Sequence, residues 1–333
     1  MDISLLKNVN KVCVHANCPD GTSSGMILRD ALNLKPEQIV FVQHDTLEYK
    51  EMKAEPGLMF CDCTPPPDRV QEFVKAGTIV LDHHKYARDI VAAFGENGVF
   101  ADKEKEPEVS GARLAYRVWK LCGSSSFNRW VDDGPPEWQS KSFKKIMNDW
   151  VDNFSHIAGI RDNWQINSPL WKESCEQAAI LMFFPRDSLI SDPLSSIASS
   201  WDMEYGRLGS ILVNKDLERA EHIAEKRWIY RTDSGLIIAI VPSRLISDAS
   251  DLLEDECEVV IGFSYTKNEP GCYPGLLLSL RSFGDSFDCG KFCKAHGGGG
   301  HANAAGCKFD TEATTLNPYK LICDKFDEYL SKG

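Results

Sequence analysis

The sequence predicts an α/β protein of two domains: an N-terminal parallel sheet with helices on both faces, followed by a smaller α/β domain. At 333 residues the chain exceeds the length at which a single hydrophobic core usually stops growing. In the first 85 residues, short apolar runs alternate with segments of helix length, as is typical of parallel sheets covered by helices. The later part of the chain has a strand-rich pattern of its own.

In the N-terminal part, apolar runs and helix-length segments follow one another in a regular order. Strands are predicted at Lys11–His15, Gln38–His44, Leu58–Asp62 and Thr78–Asp82, and helices at Ser23–Leu32, Arg69–Ala76, Ser110–Leu121 and Lys141–Gly159. The stretch Gly123–Trp138, which is rich in serine, proline and acidic residues, is predicted to be a surface loop.

A change in composition near residue 190 predicts the junction between the domains. The segment Pro185–Ser200 is rich in proline, serine and aspartate, and Tyr205–Lys226 is predicted to be a long amphipathic helix. We therefore expect a first domain at 1–190, a linker and connecting helix at 191–230, and a second domain at 231–333. In the second domain, strands are predicted at Trp228–Thr232, Leu236–Val241, Glu258–Ser264 and Leu276–Arg281, and helices at Leu245–Glu254 and Tyr319–Leu330.

The composition limits the classes of function. A formal charge of −12 and a pI near 5.2 oppose a broad surface for long nucleic acid, because such binding needs many Lys and Arg contacts to phosphates. A short or small anionic substrate needs only a local basic pocket. The chain has no apolar run of transmembrane length, and its N-terminus lacks the order of a secretory signal, so we expect a cytoplasmic protein with no membrane partner.

The twelve cysteines are scattered through the chain, mostly inside apolar runs, and are expected to be reduced. The pairs Cys61/Cys63 and Cys289/Cys293 lack the C-x2-C partner pairs of a zinc finger. Buried thiols are therefore predicted rather than a structural zinc site.

Polar residues lie at or just after the ends of the predicted N-terminal strands: His15, Asp20, Asp62, Asp82 and His83. In open parallel sheets these ends meet at one edge, where ligands bind. One such acid is most often a helix cap, but buried carboxylates from three strand ends favour a metal site, because each is costly unless paired or bound to a cation. The nitrogen and oxygen ligands suit Mn²⁺ best, with Mg²⁺, iron and zinc left open. Two such ions would polarise a phosphoryl group and activate water, which indicates metal-assisted hydrolysis.

Four segments in order resemble motifs I to IV of the DHH phosphoesterase superfamily: His15-Ala-Asn-Cys-Pro-Asp20-Gly, Asp62, Asp82-His83-His84 and Asp162. Two later segments resemble its DHHA1 domain: Ser279-Leu-Arg281-Ser and Gly297-Gly-Gly-Gly-His301-Ala-Asn-Ala-Ala-Gly306. The resemblance spans nearly the whole chain. It implies a catalytic, metal-binding DHH domain at 1–190 and a substrate-binding DHHA1 domain at 231–333.

The resemblance also implies roles for the individual residues. Asp62 would bridge two metals, Asp20 and His83 would be ligands, Asp162 would complete the second site and His15 would serve the first. Asp82 would be a ligand or orient one. His84 would contact the scissile phosphate or the leaving group and stabilise charge in the transition state. The catalytic pair is thus Asp82 and His84, and the metal set is His15, Asp20, Asp62, His83 and Asp162.

Motif I departs from the family pattern, which has a histidine followed by two aspartates one residue apart. Here only Asp20 is acidic, since Cys18 stands two residues before it and Thr22 two residues after it. Three outcomes stay open for the first metal site: weaker binding, use of Asn17 or Cys18 as a ligand, or filling only with substrate. The number of bound ions, one or two, therefore stays open as well.

The glycine run Gly297–Gly300 offers backbone N–H groups that can approach an anion closely, and His301 adds a donor. A glycine run alone is usually a loop or hinge. Two further observations favour a substrate site: the resemblance to the family, and the presence of Arg281, which can bind a phosphate with two parallel hydrogen bonds. We expect this site to comprise Arg281, Gly298, Gly299, Gly300 and His301.

The function that follows is hydrolysis of phosphodiester bonds in short oligonucleotides or dinucleotides by a Mn²⁺-dependent, exonuclease-type enzyme. The resemblance to DHHA1 favours nucleotide substrates over pyrophosphate. A phosphomonoesterase or exopolyphosphatase is the alternative among enzymes. Because motif I is altered, a catalytically weak nucleotide-binding protein is the alternative outside them. The expected partner is a short nucleic acid or nucleotide, and a homodimer is left open.

Overall fold

The computed structural model describes residues 3–44, 46–122, 141–192, 194, 197–198, 201, 205–243, 246–265, 275–310 and 317–331. The chain divides into two compact units, Met1–Val213 and Asn214–Gly333. The division falls inside the helix Gly206–Glu225, within the segment predicted to connect the domains. The boundaries at residues 190 and 231 stay predictions.

The first unit contains a five-stranded parallel sheet in the order β2-β1-β3-β4-β5. The strands are β1 Lys11–His15, β2 Ile39–Val42, β3 Leu58–Cys61, β4 Ile79–Asp82 and β5 Gly98–Phe100. The predicted α/β class and parallel sheet are confirmed. β5 was not predicted because three residues beginning with glycine give too short an apolar run to be recognised.

Both faces of this sheet are buried. Alternate residues along a strand point to opposite sides of the sheet, and both sets lie in a hydrophobic core. Val12, Val14, Met59 and Leu81 pack into one core, and Cys13, Phe60 and Val80 pack into another. Because both faces are buried, the strands are nearly continuous apolar runs, as is typical of parallel sheets.

The described helices of this unit are Ile3–Leu6, Pro19–Ala31, Leu47–Lys50, Val70–Lys75, Arg88–Ala92, Gly111–Cys122, Lys141–Asp162, Trp171–Phe183 and Arg186–Ser191.

Several helices differ from the expected pattern. The helix predicted to end at Gly159 continues to Asp162, which places this aspartate on its last turn. The helices Trp171–Phe183 and Arg186–Ser191 were not predicted, and the second lies in the Pro/Ser/Asp-rich segment. The loop predicted at Gly123–Trp138 lies outside the described residues.

The second unit contains a six-stranded mixed sheet in the order β10-β11-β9-β8-β7-β6. Its strands are β6 Trp228–Arg231, β7 Ile237–Val241, β8 Val259–Tyr265, β9 Gly275–Ser282, β10 Gly299–Gly300 and β11 Ala304–Asp310. Among the described strands of this unit, β7 and β8 are parallel neighbours and the other neighbouring pairs are antiparallel. β10, β11 and the helix Cys289–Ala295 were not predicted, whereas the helices Ser247–Asp251 and Pro318–Leu330 lie where helices were expected.

The core of the second unit joins the sheet to the helices Cys289–Ala295 and Pro318–Leu330. Phe292 and Phe326 are fully buried and their rings lie 4.2 Å apart, and each stabilises the fold by about 1.5–3 kcal/mol through burial. The cysteines of the described residues are free thiols, most of them buried. No helix in the described part of the chain has the length and apolar character needed to cross a membrane.

Candidate metal centre

The polar residues at the carboxyl ends of β1, β3 and β4 meet at one edge of the first unit's sheet. β3 lies between β1 and β4, and all three strands run in the same direction. His15 ends β1, Asp62 follows β3, and Asp82 ends β4. The topology thus gathers residues that are far apart in sequence.

One nitrogen of His83 is the centre of a group of three carboxylates. Its Nε2 lies 3.0 Å from Asp62 Oδ1, 3.8 Å from Asp20 Oδ2 and 3.8 Å from Asp162 Oδ2. His83, Asp62 and Asp20 are 1–2% exposed. Such close packing of acids away from water is costly unless positive charge balances it.

Asp20 is fixed by the start of a neighbouring helix. It lies in the first turn of the helix Pro19–Ala31, and its carboxylate accepts hydrogen bonds from the backbone N–H groups of Gly111 at 2.6 Å and Ala112 at 2.9 Å. These two residues begin the helix Gly111–Cys122, whose N-terminal dipole also favours a negative charge. Asp20 is therefore held by two backbone donors of a second helix.

Gly111 was not among the predicted site residues, yet the centre depends on its small size. A Cβ atom at this position would lie 2.4 Å from Asp62 Cβ and 2.9 Å from Asp20 Oδ2. Only glycine allows the helix start to approach both carboxylates so closely. No motif in the sequence signals this distance.

Asp62 has a left-handed backbone, with φ of +62°, directly after β3. This conformation is uncommon for a residue with a side chain, although aspartate tolerates it better than most. The Asp62 N–H donates to Leu81 O at 3.0 Å, which ties the turn to β4. A strained residue in a buried site is characteristic of functional positions.

Three groups of side chains have ligand atoms within 4.8 Å of one another: His15, Cys18 and Asp62; Asp62, His83 and His84; and Asp20, His83 and Asp162. Asp62 belongs to the first two groups and His83 to the last two. All five predicted metal ligands thus occur in these groups. Their role as ligands stays a prediction, and so does the bridging role of Asp62.

Asp82 holds the segment after β4 in place. Its Oδ1 accepts hydrogen bonds from the N–H groups of His83 at 2.6 Å and His84 at 2.9 Å, and it lies 2.7 Å from His84 Nδ1. Asp82 Oδ1 thus holds the two histidines that follow it, while Asp82 Oδ2 has no hydrogen-bond partner among the described residues. Both roles expected for Asp82, ligand and orienting residue, stay predictions.

The pKa values around His84 follow from this contact. Burial disfavours the charged imidazole, but the hydrogen bond to Asp82 and the nearby carboxylates outweigh it and raise the pKa of His84 to about 9. Burial likewise opposes ionisation of Asp82, yet the bond to His84 lowers the pKa of this carboxyl. The contact with Asp82 therefore favours the charged form of the His84 imidazole, in which both ring nitrogens are donors.

Burial and close packing also shift the pKa values of Asp62, Asp20 and His15. Burial, together with the neighbouring aspartates, raises the pKa of Asp62 to about 7 and that of Asp20 well above its usual range. Burial and the neighbouring histidines His44 and His84 lower the pKa of His15 to about 4, so its ring is neutral. A divalent cation would favour the ionised carboxylates, and a neutral imidazole is the form that binds metal.

Several buried polar atoms of the centre have no hydrogen-bond partner among the described residues: Asp62 Oδ2, Asp82 Oδ2 and His83 Nδ1. Buried polar atoms are nearly always satisfied in native proteins, so each requires an explanation. The donor set of carboxylate oxygens and imidazole nitrogens fits a divalent cation such as Mn²⁺, Mg²⁺, Fe²⁺ or Zn²⁺. The residues present therefore fit a metal centre.

Lys103 also contacts the centre and was missed in the sequence. Its Nζ lies 3.2 Å from Asp162 Oδ2. Burial raises the pKa of Asp162, but His83 and Lys103 outweigh it and lower this pKa below its ordinary value. Lys103 lies in a charged loop, where a single lysine gives no signal that distinguishes it from solvent-exposed neighbours.

The two positions at which motif I lacks a carboxylate differ in their surroundings. The hydroxyl of Thr22 donates to the backbone oxygen of Cys18 at 3.0 Å, so it is engaged within the helix. Cys18 instead contributes its sulfur to the group with His15 and Asp62. Burial and the nearby aspartates raise the pKa of the Cys18 thiol well above its ordinary value.

The predicted substrate residues of the second unit lie around β9–β11. Arg281, on β9, donates from Nη2 to Ser247 Oγ at 2.9 Å and from Nη1 to Leu280 O at 2.8 Å. Gly299 and Gly300 form β10 and pair with Gly306 and Ala305 of β11, so the glycine run is a hairpin strand rather than an open loop. Gly299, Gly300 and His301 are exposed, and a Cβ on Gly298 would lie 2.2 Å from Gly306 O. Substrate binding by these residues stays a prediction.

The chain has the fold of solved DHH-domain proteins, with a parallel-sheet unit followed by a mixed-sheet unit. It is similar to the solved DHH domain of a member of the S1p family of ribosomal proteins, with a TM-score of 0.56 and 12% identity over 99% of this chain and 88% of that one. It is also similar to RecJ of Thermus thermophilus, solved in complex with Mn²⁺, with a TM-score of 0.51 and 14% identity over 99% of this chain and 54% of RecJ.

A third solved structure, an exopolyphosphatase-related protein from Bacteroides fragilis, matches with a TM-score of 0.47 and 14% identity over 99% of this chain and 94% of that one. No protein-family model and no curated protein matches the sequence. At these identities the likeness establishes the fold alone.

Proposed function

We propose that the protein is a metal-dependent phosphoesterase that hydrolyses phosphodiester bonds of short oligonucleotides or dinucleotides from one end. The observation that carries this proposal is the group of buried Asp20, Asp62 and His83 with half-buried Asp162, in which Asp62 Oδ2 has no hydrogen-bond partner among the described residues. A buried cluster of this kind is costly for the fold and is explained when it holds catalytic cations.

Cations held by His15, Asp20, Asp62, His83 and Asp162 would supply Lewis-acid polarisation of a phosphoryl oxygen and a more acidic water molecule. The chain itself supplies fixed geometry. Asp20 is anchored by two backbone N–H groups, and Asp62 is tied to β4 by its own N–H. Rigid ligands of this kind keep the reacting groups in place.

His84 is the residue that we propose to act on the substrate directly. The hydrogen bond from Nδ1 to Asp82 at 2.7 Å fixes the ring and favours its charged form. A protonated imidazole can donate a hydrogen bond to a phosphoryl oxygen or transfer a proton to the leaving oxygen. Asp82 orients His84 and is a positioning residue.

The substrate class rests on charge and on the second unit. A net charge of −12 disfavours long nucleic acid, whereas a short substrate needs few phosphate contacts. We propose that Arg281, Gly298, Gly299, Gly300 and His301 bind a substrate phosphate, and that Mn²⁺, the ion named for the RecJ structure, is the ion used here.

The test is a substrate panel with metal analysis. With Mn²⁺ the purified protein should shorten labelled di- to pentanucleotides, and Asp62→Ala and His83→Ala should each lower turnover by about a thousandfold or more, since several kcal/mol of metal-derived stabilisation are lost. Asp89→Asn, a change at an exposed acid of the same unit, is the control and should keep wild-type turnover.

Other outcomes would point elsewhere. Hydrolysis restricted to 3′-phosphoadenosine 5′-phosphate or polyphosphate would replace the proposed reaction with that of a phosphomonoesterase or exopolyphosphatase. Binding of nucleotides without turnover of any substrate, including cyclic dinucleotides, would indicate a binding protein. Wild-type rates in both site variants would refute the assignment of the site.

A further inference from the structure

Cys18 lies directly before the helix Pro19–Ala31, close to His15 and Asp62. Its backbone is extended, at φ −131° and ψ 130°. Its sulfur lies within 4.8 Å of a ligand atom of His15 and of a carboxylate oxygen of Asp62. Three side chains of different chemistry thus converge on one point.

A second observation at the same place concerns Asp62. Its side chain is 1% exposed, and its Oδ2 has no hydrogen-bond partner among the described residues. An unpartnered carboxylate oxygen in a dry site costs free energy, which a cation would recover.

Other thiols next to Asp62 are engaged differently. Cys61 Sγ donates to Gly111 O at 3.5 Å, and Cys63 Sγ donates to Cys13 O at 3.6 Å and to Cys61 O at 3.5 Å. These thiols satisfy backbone carbonyls, whereas the Cys18 thiol belongs to the group with His15 and Asp62. Proximity to the centre therefore does not by itself make a thiol part of a ligand group.

The ligand groups of the centre differ in chemistry. Asp20, His83 and Asp162 offer oxygen and nitrogen only, while His15, Cys18 and Asp62 include a sulfur. Carboxylate oxygens suit Mn²⁺ and Mg²⁺, whereas thiolate and imidazole together suit softer ions such as Zn²⁺. Cys18 is one of the two positions at which motif I lacks its second carboxylate, and it offers a sulfur there.

We propose that His15, Cys18 and Asp62 form a thiolate-containing site for a softer divalent cation of the Zn²⁺ or Fe²⁺ class, beside a harder site at Asp20, His83 and Asp162. On binding, the thiol proton passes to solvent and the sulfur takes the metal. This inference rests on the same metal centre as the proposed function. Its test measures which side chains bind the metal and does not depend on hydrolysis. A thiolate site without hydrolysis would refute the proposed function and leave this inference standing.

The first experiment uses Co²⁺ as a spectroscopic probe of the intact protein. We expect the wild-type protein to show a thiolate-to-cobalt charge-transfer band in the near ultraviolet, and Cys18→Ser to lose it. Cys63→Ser is the matched control, because a serine hydroxyl can donate to the same carbonyls, and it should keep the band. A wild-type protein without the band, or a band that survives in Cys18→Ser, would overturn the proposal.

The second experiment restores the acid that motif I lacks. In Cys18→Asp the ratio of Zn²⁺ to Mn²⁺ retained after equilibration with both ions should fall by about tenfold or more, measured by elemental analysis of the folded protein. Circular dichroism shows that the variant has folded. An unchanged ratio would overturn the proposal even if Cys18→Ser does not fold.

Discussion

The centre of the first unit and the glycine hairpin of the second differ in what surrounds their polar groups. In the first unit, Asp20, Asp62 and His83 are buried, crowded and partly without hydrogen-bond partners among the described residues. In the second unit, Gly299, Gly300 and His301 are exposed, and the two glycines pair with β11. Buried polar groups without partners cost free energy that a bound ligand would recover, whereas the exposed hairpin is solvated by water and stable without a ligand. The following changes test this contrast.

Among the changes that compare the two units, the largest effect is expected from Gly111→Ala in the first unit. The new Cβ would lie 2.4 Å from Asp62 Cβ, so the helix start or the Asp62 turn must move. We expect a loss of about 1–3 kcal/mol in the free energy of unfolding and about a hundredfold loss of turnover, because a small displacement of reacting groups is costly.

The matched control for Gly111→Ala is Gly299→Ala in the hairpin. A Cβ there meets no atom within 4 Å, and its φ is not left-handed. Metal analysis and urea unfolding of both variants make the comparison, because turnover would also report on the substrate role proposed for Gly299. Equal losses of metal content and of stability in the two variants would contradict the view that the first unit is the tightly constrained one.

The sequence predicted the part of the centre that depends on strand ends. β1, β3 and β4 are short apolar runs, and the acid or histidine at the end of each is visible without coordinates. Because parallel strands end at one edge, the convergence of His15, Asp62 and Asp82 could be expected. The roles of Gly111 and Lys103 could not, since they depend on how closely a helix start and a loop approach those strands.

The second unit was harder to predict for related reasons. β11 contains Gly306 and Lys308, which interrupt the apolar pattern of a strand, and β10 is only two residues long. A glycine run alone is usually a loop or hinge, but pairing with Gly306 and Ala305 makes Gly299 and Gly300 part of the sheet. Pairing of this kind is decided by tertiary structure and not by local propensity.

A medium effect is expected from Arg281→Ala in the second unit. If Arg281 binds a substrate phosphate, its removal should raise KM for a dinucleotide by about tenfold or more, since hydrogen bonds to charged groups contribute about 1.5–3 kcal/mol. The metal content should not change. Steady-state kinetics and elemental analysis check both points.

Arg231→Ala, at an exposed arginine of β6, controls for loss of one positive charge. Ser247 loses its contact with Arg281 in the first variant, so a thermal melt of each protein is needed. An unchanged KM in a folded Arg281→Ala variant would remove this residue from the substrate site.

The smallest effect is expected from Asp288→Ala, which changes the second unit without touching either candidate site. Asp288 precedes the helix Cys289–Ala295, and its carboxylate accepts a hydrogen bond from Lys291 N at 2.8 Å. That bond lowers the pKa of Asp288 below its ordinary value. Loss of such a cap costs about 1 kcal/mol in the free energy of unfolding.

The pH dependence of this variant follows from the sign of the shift. A carboxyl whose pKa is lower in the folded state stabilises the fold above its unfolded pKa, and this contribution is lost as the pH falls through the folded pKa. The difference between wild type and Asp288→Ala should therefore be present at neutral pH and shrink as the pH falls below the ordinary pKa of an aspartate. Urea unfolding across this range measures it, with Asp285→Ala, at an exposed acid nearby, as the control. A difference that stays constant down to acid pH would show that the carboxylate charge does not contribute to the cap.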